Sequence, residues 1–477
     1  MRRDLMAGAP LVIIRRGGRA IGAVQPSAAF DLAAEPVSVR VAASLGPELT
    51  EMLATVGDVA AARGARAFVV GGLVRDAWLG RTATRDLDVV IDGDGLAVAR
   101  ELAARRGSRL VEHAAFLTAS IAPGAASDPV GRIDVATARV ERYEARGALP
   151  RVTSAHITDD LRRRDFTVNA MALELGENGL RLLDPLGGRA DLAAGLLRIL
   201  HPLSFVEDPT RMFRAARYAA RLGMRMDAWT LKAQRLALSL VPYPRLSGQR
   251  LLAELERIVS EPTAAPALGR LGATGVLRLV DPRYRFTRAT ARRLLAISAT
   301  LTWCAQHAVD VRPVELVVVA LLADQPSAVM AAACRRLALS GEPLARISAA
   351  LAIDVGALAP LTAEAPSVRA AWLSSRSGLE LAWSRLIGDD TVRTASEWYV
   401  GEARHVAASL RGDDVIALGV PRGPAVARTL ARLRQARLDG IVQDAEGERA
   451  YVQAMVGEGP HGSEGRSSED THTKGEA

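Results

Sequence analysis

The segment Val70-Gly71-Gly72-Leu73-Val74-Arg75-Asp76 gives the strongest indication of the fold. The apolar run 67–70 is predicted to be a strand, the glycine pair follows it, and a helix begins at about Leu73. Glycine lets an anion approach the backbone, and the start of a helix presents unpaired N–H groups, so the pattern predicts a phosphate-binding loop. Arg75 would lie one turn inside the helix and face the same anion. A plain turn between strand and helix is the alternative.

Two aspartates follow this loop at strand spacing, in the segment Arg85-Asp86-Leu87-Asp88-Val89-Val90. Side chains at positions i and i+2 of a strand point to the same face, so Asp86 and Asp88 should converge on one point. Two such carboxylates repel each other unless a cation binds between them, and oxygen ligands with few protein partners suit Mg²⁺. The pair is therefore predicted to be catalytic and to hold magnesium. A solvated strand end, or pairing with Arg85, is the alternative.

A third carboxylate is the candidate to complete a two-metal site. Asp134 lies inside the apolar run Ile133-Asp134-Val135, which is predicted to be another strand. In a two-metal site, one metal activates an attacking hydroxyl and the other binds the leaving group. Pairing of Asp134 with Arg132 or Arg139 is the alternative to this catalytic role.

Hydrophobic periodicity divides the chain into an α/β part and a helical part. Residues 46–191 alternate short strands with helices, whereas residues 192–275 and 276–456 change to long helices rich in alanine, leucine and arginine. Residues 1–45 show no sustained period and are expected to form a poorly ordered extension. Residues 457–477 have almost nothing to bury and are expected to be a disordered tail.

Composition narrows the class of protein. The 477 residues include 61 basic and 53 acidic side chains, and the resulting charge of +8 favours a polyanionic partner. The 49% hydrophobic content is typical of globular proteins. Two cysteines, Cys304 and Cys334, cannot supply a four-thiolate zinc site and are typical of a reducing compartment. No apolar run is long enough to span a membrane, so a soluble, cytoplasmic protein without a membrane partner is expected.

The motifs resemble the nucleotidyltransferase head of the class II tRNA CCA-adding enzymes and the related bacterial poly(A) polymerases. The likeness covers residues 46–280 and 409–455. Further segments follow in the order of that family: residues 139–152 with Glu141, Tyr143, Gly147, Pro150 and Val152, the string Asp160 to Ala170, Asp184-Pro185 with Gly187-Gly188, Glu207-Asp208-Pro209 with Arg211, and Gly412-Asp413-Asp414.

The resemblance implies an α+β fold and an activity. The head would be of the polymerase-β type, a mixed sheet with helices, followed by an all-α neck at 192–275 and an RNA-binding body and tail at 276–456. Template-independent addition of CCA to the tRNA 3′ end would use CTP and ATP, release pyrophosphate and require Mg²⁺. The nucleotide-binding residues that the resemblance implies are Gly71, Gly72, Arg75, Arg164, Asp208, Arg211, Arg214 and Arg217.

The neck residues also have a structural interpretation. Asp208 suits the N-cap of a helix and Pro209 its first position, so the segment could be a capped helix with a basic surface. Residues spaced by three drift about 60° per step around a helix, so Asp208 and Arg211 are adjacent while Asp208 and Arg217 face apart. Under the resemblance, Asp208 and Arg211 would serve as an amino-acid template. They offer an acceptor beside donors, which cytosine and adenine match and guanine and uracil do not.

Other functions remain open from the sequence. Within the family, an enzyme restricted to CC or to the terminal A is one alternative, and a poly(A) polymerase is another. A non-catalytic RNA-binding protein of the same fold belongs to a different class. Paired carboxylates argue against that class, because a binder has no use for them beside the negative backbone of RNA.

Overall fold

A computed structural model describes residues 12–16, 19–24, 35–36, 44–81, 86–124, 128, 130–176, 179–362 and 365–457. The predicted disordered tail lies outside these residues except for Gly457, as does most of the predicted N-terminal extension. The expected disorder of both segments stays a prediction.

The described residues form short strands in the first half of the chain and helices throughout. The strands are β1 Val12–Arg16, β2 Arg19–Val24, β3 Glu35–Pro36, β4 Arg66–Val70, β5 Leu87–Asp92, β6 Leu110–His113, β7 Thr118–Ile121, β8 Ile133–Thr137, β9 Arg139–Arg142, β10 Arg151–Ser154, β11 Ala172–Gly176, β12 Gly179–Leu183, β13 Leu196–Leu197 and β14 Arg225–Met226. The helices are α1 Pro47–Ala61, α2 Gly72–Trp78, α3 Gly95–Arg106, α4 Ile157–Arg162, α5 Gly188–Ala193, α6 Ser204–Glu207, α7 Arg211–Leu222, α8 Ala228–Ser239, α9 Gly248–Val259, α10 Ala264–Ala273, α11 Arg288–Gln306, α12 Pro313–Leu322, α13 Ser327–Arg336, α14 Gly341–Leu351, α15 Pro366–Ser374, α16 Gly378–Ile387, α17 Asp390–Gly401, α18 Gly412–Ala417, α19 Pro424–Leu438 and α20 Ala445–Gly457.

The head is built on an eight-stranded sheet in the order β3-β12-β11-β4-β5-β8-β7-β6. Strands β5 and β8 are parallel, whereas the strand pairs on either side of them are antiparallel. The predicted mixed sheet with helices is therefore confirmed. The parallel register pairs Asp88 with Asp134, so two of the predicted catalytic carboxylates are direct neighbours across adjacent strands.

Helix α1 anchors the strand that carries the glycine loop. Its apolar residues Leu49, Leu53, Val56 and Val59 recur at helical spacing, and all four are buried. The helix packs against β4 and β11. Complete burial of a leucine or valine side chain stabilises a fold by about 1.5–3 kcal/mol, so this face of α1 holds β4 firmly in place.

The chain forms two compact units. The first contains residues 1–295 and 321–340, and the second contains residues 296–320 and 341–477. The described part of the second unit is helical, which confirms the predicted all-α second half. The first unit contains the head together with the predicted neck, so the functional boundaries at 191, 275 and 456 stay predictions.

The end of the second unit has its own small core. Glu448 is fully buried, and its carboxylate accepts N–H groups of Ser409 and Leu410 at 2.9 Å each and a guanidinium N–H of Arg437 at 3.0 Å. These bonds tie the last helix to the loop before α18. The apolar residues around this tether are Leu410, Val415, Val420, Leu433 and Val452.

Two further expectations concern the environment of the protein. None of the described helices combines the length and the apolarity that a bilayer crossing requires. Cys304 and Cys334 are both buried and carry free thiols. The cytoplasmic location stays a prediction.

Candidate functional site

The first unit contains a cavity of about 520 Å³ whose walls come from the head and from the helices that follow it. Seven of the residues predicted to bind nucleotide or metal lie in its walls: Gly71, Gly72, Asp88, Arg164, Asp208, Arg211 and Arg214. Asp86, Asp134, Arg75 and Arg217 are not among the residues that line it.

The glycine loop forms one wall of this cavity. Gly71 precedes α2 with φ of 76°, a left-handed conformation that favours glycine. A Cβ atom built on Gly71 would lie 3.6 Å from Nη1 of Arg164 and 3.9 Å from Oδ2 of Asp88. The loop therefore brings a guanidinium and a carboxylate to the same point, and a side chain at this position would narrow the space between them.

The three predicted catalytic carboxylates have different surroundings, and Asp88 alone of the three lines the cavity. Asp88 lies on β5 with a solvent-accessible side chain, whereas Asp86 lies just before that strand and accepts the backbone N–H of Arg132 at 2.9 Å. Asp134 accepts the Ser120 hydroxyl at 2.5 Å and pairs with Nε of Arg132 at 3.0 Å. The alternative pairing of Asp134 with Arg132 is thus present, although Asp134 stays next to Asp88.

The surroundings of Asp88 shift the pKa of its carboxyl group. Burial of the surrounding cleft and the nearby carboxylates of Asp134 and Asp86 raise the pKa of Asp88 above its ordinary value. Arg164 and Arg132 act in the opposite direction without cancelling the effect. Burial is the largest of these causes, and together with the two neighbouring carboxylates it disfavours the ionised form of Asp88, which a bound cation would favour.

Hydrogen bonds from several elements hold Asp208 and Arg211, the pair of neck residues predicted to select the base. Oδ1 of Asp208 accepts the Thr210 N–H at 3.0 Å, the Thr210 hydroxyl at 2.6 Å and Nη2 of Arg250 at 2.8 Å. Arg211 is buried and donates to the Ser204 hydroxyl at 2.8 Å and to the Arg163 carbonyl at 2.7 Å. Both side chains are thereby fixed at the cavity wall.

The expected helix start in the neck is wrong by two residues. Helix α7 begins at Arg211 with Thr210 at its N-cap, and Asp208 instead ends α6. The Asp208 carboxylate accepts the backbone N–H of Thr210, which forms a separate turn before the helix begins.

Buried carboxylates orient Arg164 and Arg214, two of the arginines that line the cavity. Arg214 reaches Oδ2 of Asp165 through Nε at 2.7 Å and through Nη2 at 2.5 Å. Asp165 raises the pKa of Arg214 further above its ordinary value, so the guanidinium stays charged. Arg164 reaches Oδ2 of Asp160 through Nη2 at 2.9 Å, and its Nη1 lies near Gly71. Arg164 thus lies beside the glycine loop, and Arg214 is fixed elsewhere in the wall of the same cavity.

Arg75 and Arg217 do not line the cavity, and each of them pairs with a carboxylate of the protein. Arg75 is 1% exposed, and its guanidinium donates to both oxygens of Asp76 at 2.9 Å and to Oδ1 of Asn169 at 2.5 Å. Arg217 pairs with Glu261 at 2.9 Å. Each step of three residues falls short of a full helical turn, so the direction of the side chain rotates along α7. Arg217 lies two such steps after Arg211 and is therefore on a different face of the helix. The predicted phosphate contacts of both arginines stay predictions.

Several cavity residues were missed by the sequence reasoning. Arg250, Glu254 and Arg257 all come from α9 at spacings of four and three, so they lie on one helix face. A polar stripe at this spacing on an otherwise apolar helix was the available signal. Arg250 also donates to the Gly147 carbonyl at 3.0 Å, so it links a loop of the head to Asp208.

We expect Asp160→Asn to lower the free energy of unfolding by about 3 kcal/mol, because it removes the buried negative partner of two guanidiniums. Asp160 is 0% exposed and pairs with Arg163 and Arg164. Burial opposes its ionisation, but these two arginines outweigh burial and lower its pKa below the ordinary value of 3.8. The stability difference between wild type and variant is therefore fully present above that value and is lost as the pH falls below it.

Urea unfolding at a series of pH values measures this difference. Asp159→Asn is the matched control, since Asp159 lies next in sequence and makes only a 3.6 Å pair with Arg162 at the surface. Equal stability of the two variants at neutral pH would contradict the role assigned to Asp160.

Comparisons with known proteins identify the class. Residues 67–198 match the family described as "Poly A polymerase head domain". The glycine loop and strands β5 to β12 lie within the matched residues, so this part of the chain is a nucleotidyltransferase head.

The relatives narrow this class further. The chain is 35% identical over 395 residues to the CC-adding tRNA nucleotidyltransferase of Deinococcus radiodurans, covering 82% of this chain and 90% of that protein. It is 34% identical over 390 residues to the A-adding tRNA nucleotidyltransferase of Geobacter sulfurreducens, covering 78% of this chain and 43% of that protein. The structure of the Thermotoga maritima CCA-adding enzyme complexed with tRNA is similar with a TM-score of 0.73 and 26% identity, covering 89% of this chain and 99% of that one.

The chain belongs to the tRNA nucleotidyltransferase family. It spans less than half the length of the A-adding relatives that it matches. Membership of the family implies the use of a divalent metal.

The carboxylates of the site fit a divalent cation that the substrate helps to bind. No group of three or more His, Cys, Asp or Glu side chains in the described part of the chain is arranged to hold a metal, so Asp86, Asp88 and Asp134 do not form such a group. Burial is the main cause that raises the pKa of Asp88, so its ionised form would gain from a bound cation. This donor set suits an ion that takes one or two protein carboxylates and completes its shell with water and phosphate.

Proposed function

We propose that this protein is a template-independent nucleotidyltransferase that adds CCA from CTP and ATP to the 3′ end of tRNA. The observation that carries the proposal is the meeting, in one cavity, of the glycine loop and Asp88 of the head with Asp208 and Arg211 of the neck. A single bound nucleotide would therefore place its α-phosphate near Asp88 and its base near Asp208 and Arg211.

Base selection falls to Asp208 and Arg211. The three hydrogen bonds described for Asp208 all reach Oδ1, so Oδ2 can accept the exocyclic amino group of cytosine or adenine. Each Nη atom of Arg211 uses one N–H on the protein and retains a second for a ring-nitrogen acceptor. Uracil and guanine present the opposite order of donor and acceptor, and either would leave a buried group unpaired.

The reaction is attack of the RNA 3′-hydroxyl on the α-phosphate, with pyrophosphate as the leaving group. The glycine loop admits the triphosphate to the backbone, and Arg164 and Arg214 balance its charge. Asp86 and Asp88 would hold Mg²⁺, with Asp134 as the third carboxylate of a two-metal arrangement. When bound, the metal supplies charge neutralisation and a lower pKa for the attacking hydroxyl. The residues described here contribute mainly by positioning the reactants.

The tRNA acceptor end is the proposed RNA partner. The Thermotoga maritima relative was solved with tRNA, and the present chain covers 99% of that structure. The helical part of this chain, predicted as body and tail, would bind the RNA through its backbone and shape. The net charge of +8 supports a polyanionic partner.

An enzyme restricted to CC or to the terminal A is the second candidate. The names of the Deinococcus radiodurans and Geobacter sulfurreducens relatives favour it, since one is CC-adding and the other A-adding. A poly(A) polymerase and a non-catalytic RNA-binding protein are more distant alternatives.

One assay separates these functions. The protein is incubated with CTP and ATP and with tRNA ending at the discriminator base or at CC, and a generic oligoribonucleotide serves as control. Full CCA addition extends both tRNAs to the same end, whereas a CC-adding enzyme stops two nucleotides after the discriminator base and an A-adding enzyme extends only the second tRNA. Long poly(A) tails on the generic oligoribonucleotide would contradict the proposal, and so would the absence of any incorporation.

A further inference from the structure

The aromatic ring of Tyr218 lies at the centre of the arginines predicted to bind phosphate. The guanidinium carbon of Arg217 lies 4.7 Å from the ring centroid, that of Arg75 5.4 Å, and that of Arg214 5.8 Å. Tyr218 is half-buried on α7 and itself lines the cavity. One ring is therefore shared by three cations, two from α7 and one from α2 of the head.

Each of these guanidiniums has its own carboxylate on a different segment of the chain. Arg75 pairs with Asp76 of α2, Arg214 with Asp165 after α4, and Arg217 with Glu261 after α9. Three ion pairs from separate elements thus meet at Tyr218.

The ring is also held from the side of the head. Phe166 is fully buried and meets Tyr218 edge-to-face, with the centroids 5.9 Å apart and the ring planes at 85°. This geometry is favourable for an aromatic pair, and it limits rotation of the Tyr218 ring. No hydrogen bond of the Tyr218 hydroxyl occurs among the described residues. The contacts of this side chain are therefore those of its ring.

The electrostatic effect of such a ring is specific. Guanidiniums held close together repel one another, and the negative face of an aromatic ring lowers the cost of holding them near one point. An aliphatic side chain of similar size would fill the space without this attraction. The ring therefore helps to hold three guanidiniums near one point, each with its own carboxylate.

We propose that Tyr218 is a positioning residue that holds Arg75, Arg214 and Arg217 around its ring and thereby forms the binding site for the triphosphate of the nucleotide. The inference rests on the proposed function and deepens it. Arg75 and Arg217, which do not line the cavity and are each paired with a carboxylate, act through this ring by fixing its position, while Arg214 lies in the cavity wall.

A role in phosphate binding has a consequence that a role in folding does not have. CTP and ATP share the triphosphate, so loss of the ring raises KM for both nucleotides by the same factor. Selectivity against UTP and GTP stays unchanged, because Asp208 and Arg211 are not altered. KM for tRNA stays unchanged as well.

The test compares Tyr218→Leu with Tyr218→Phe in the full-length protein. We expect Tyr218→Leu to weaken the binding of inorganic tripolyphosphate about tenfold, measured by calorimetry, and to raise KM for CTP and for ATP by the same factor. Tyr218→Phe retains the ring and should restore most of the affinity. Trp398→Leu is the control for removal of a ring beneath a guanidinium. The guanidinium carbon of Arg369 lies 5.4 Å from the ring centroid of Trp398 in the second unit. This control variant should bind tripolyphosphate as the wild type does.

Several outcomes overturn the inference. Wild-type affinity in Tyr218→Leu is one, and equal loss in the leucine and phenylalanine variants is another, because it assigns the effect to the hydroxyl. If Tyr218→Leu does not fold, Tyr218→Met takes its place, with thermal unfolding as the check. Tripolyphosphate binding does not depend on catalysis, so a wild type that binds it but incorporates no nucleotide refutes the proposed function alone. A wild type that binds no tripolyphosphate overturns the inference itself.

Discussion

Asp88→Asn is expected to lower the rate of nucleotide incorporation by about 10³-fold, while binding of tRNA persists. The Asp88 carboxylate lies beside the glycine loop, where burial and the nearby carboxylates of Asp134 and Asp86 raise its pKa. An amide of the same shape removes the charge that would hold a divalent cation. Single-turnover incorporation of labelled CTP into tRNA lacking CCA measures the effect.

Asp94→Asn is the matched control for this experiment. Asp94 lies shortly after the same strand and caps α3 by accepting the N–H of Ala97 at 3.0 Å, and asparagine caps helices equally well. The control should incorporate CTP at the wild-type rate. Undiminished incorporation by Asp88→Asn would refute the metal assignment.

Asp86→Ala tests the second proposed ligand in the same assay, with loss of incorporation and retained tRNA binding as the expected result.

Asp208→Asn is expected to reduce the preference for CTP and ATP over UTP and GTP by about 10–100-fold. The carboxylate offers only acceptors, whereas an amide can present a donor to the base and so tolerates the opposite pattern. The backbone N–H of Thr210 and the guanidinium of Arg250 can still bond the remaining oxygen, which limits the change to the base-facing side. Values of kcat/KM for the four nucleotides measure the preference.

Asp227→Asn controls for loss of a carboxylate in the same region. Asp227 caps α8 by accepting the N–H of Thr230 at 2.9 Å and does not line the cavity. This variant should keep the wild-type order of nucleotides. An unchanged order in Asp208→Asn would mean that another residue reads the base.

Local patterns in the sequence predicted much of the head. The four apolar positions of α1 are buried as their spacing indicates, and the glycine pair does end a strand and begin a helix. Strand spacing also located Asp88 at the cavity. These features depend on a few consecutive residues, so periodicity and glycine chemistry are sufficient to find them.

The same reasoning was less successful for side chains that meet over long distances. Arg75 has the right residue type and position for an anion contact, yet its guanidinium turns to Asp76 and Asn169 and is buried. Arg250 was not predicted, although it fixes Asp208. A short sequence pattern does not predict such contacts when a partner lies on another element, as Asn169 does for Arg75 and Asp208 for Arg250.

Patterns along the chain were sufficient to predict the α+β head, the helical remainder and the place of Asp88 on β5, and the net charge favoured a polyanionic partner. Tertiary contacts select the arginines that line the cavity, bring α9 into its wall and place three ion pairs around Tyr218. Hydrophobic periodicity and backbone conformation depend on residues that are close in sequence, so they can be predicted from the chain alone. The cavity instead depends on contacts such as that between Arg250 and Gly147, which are 103 positions apart and meet only when the chain has folded.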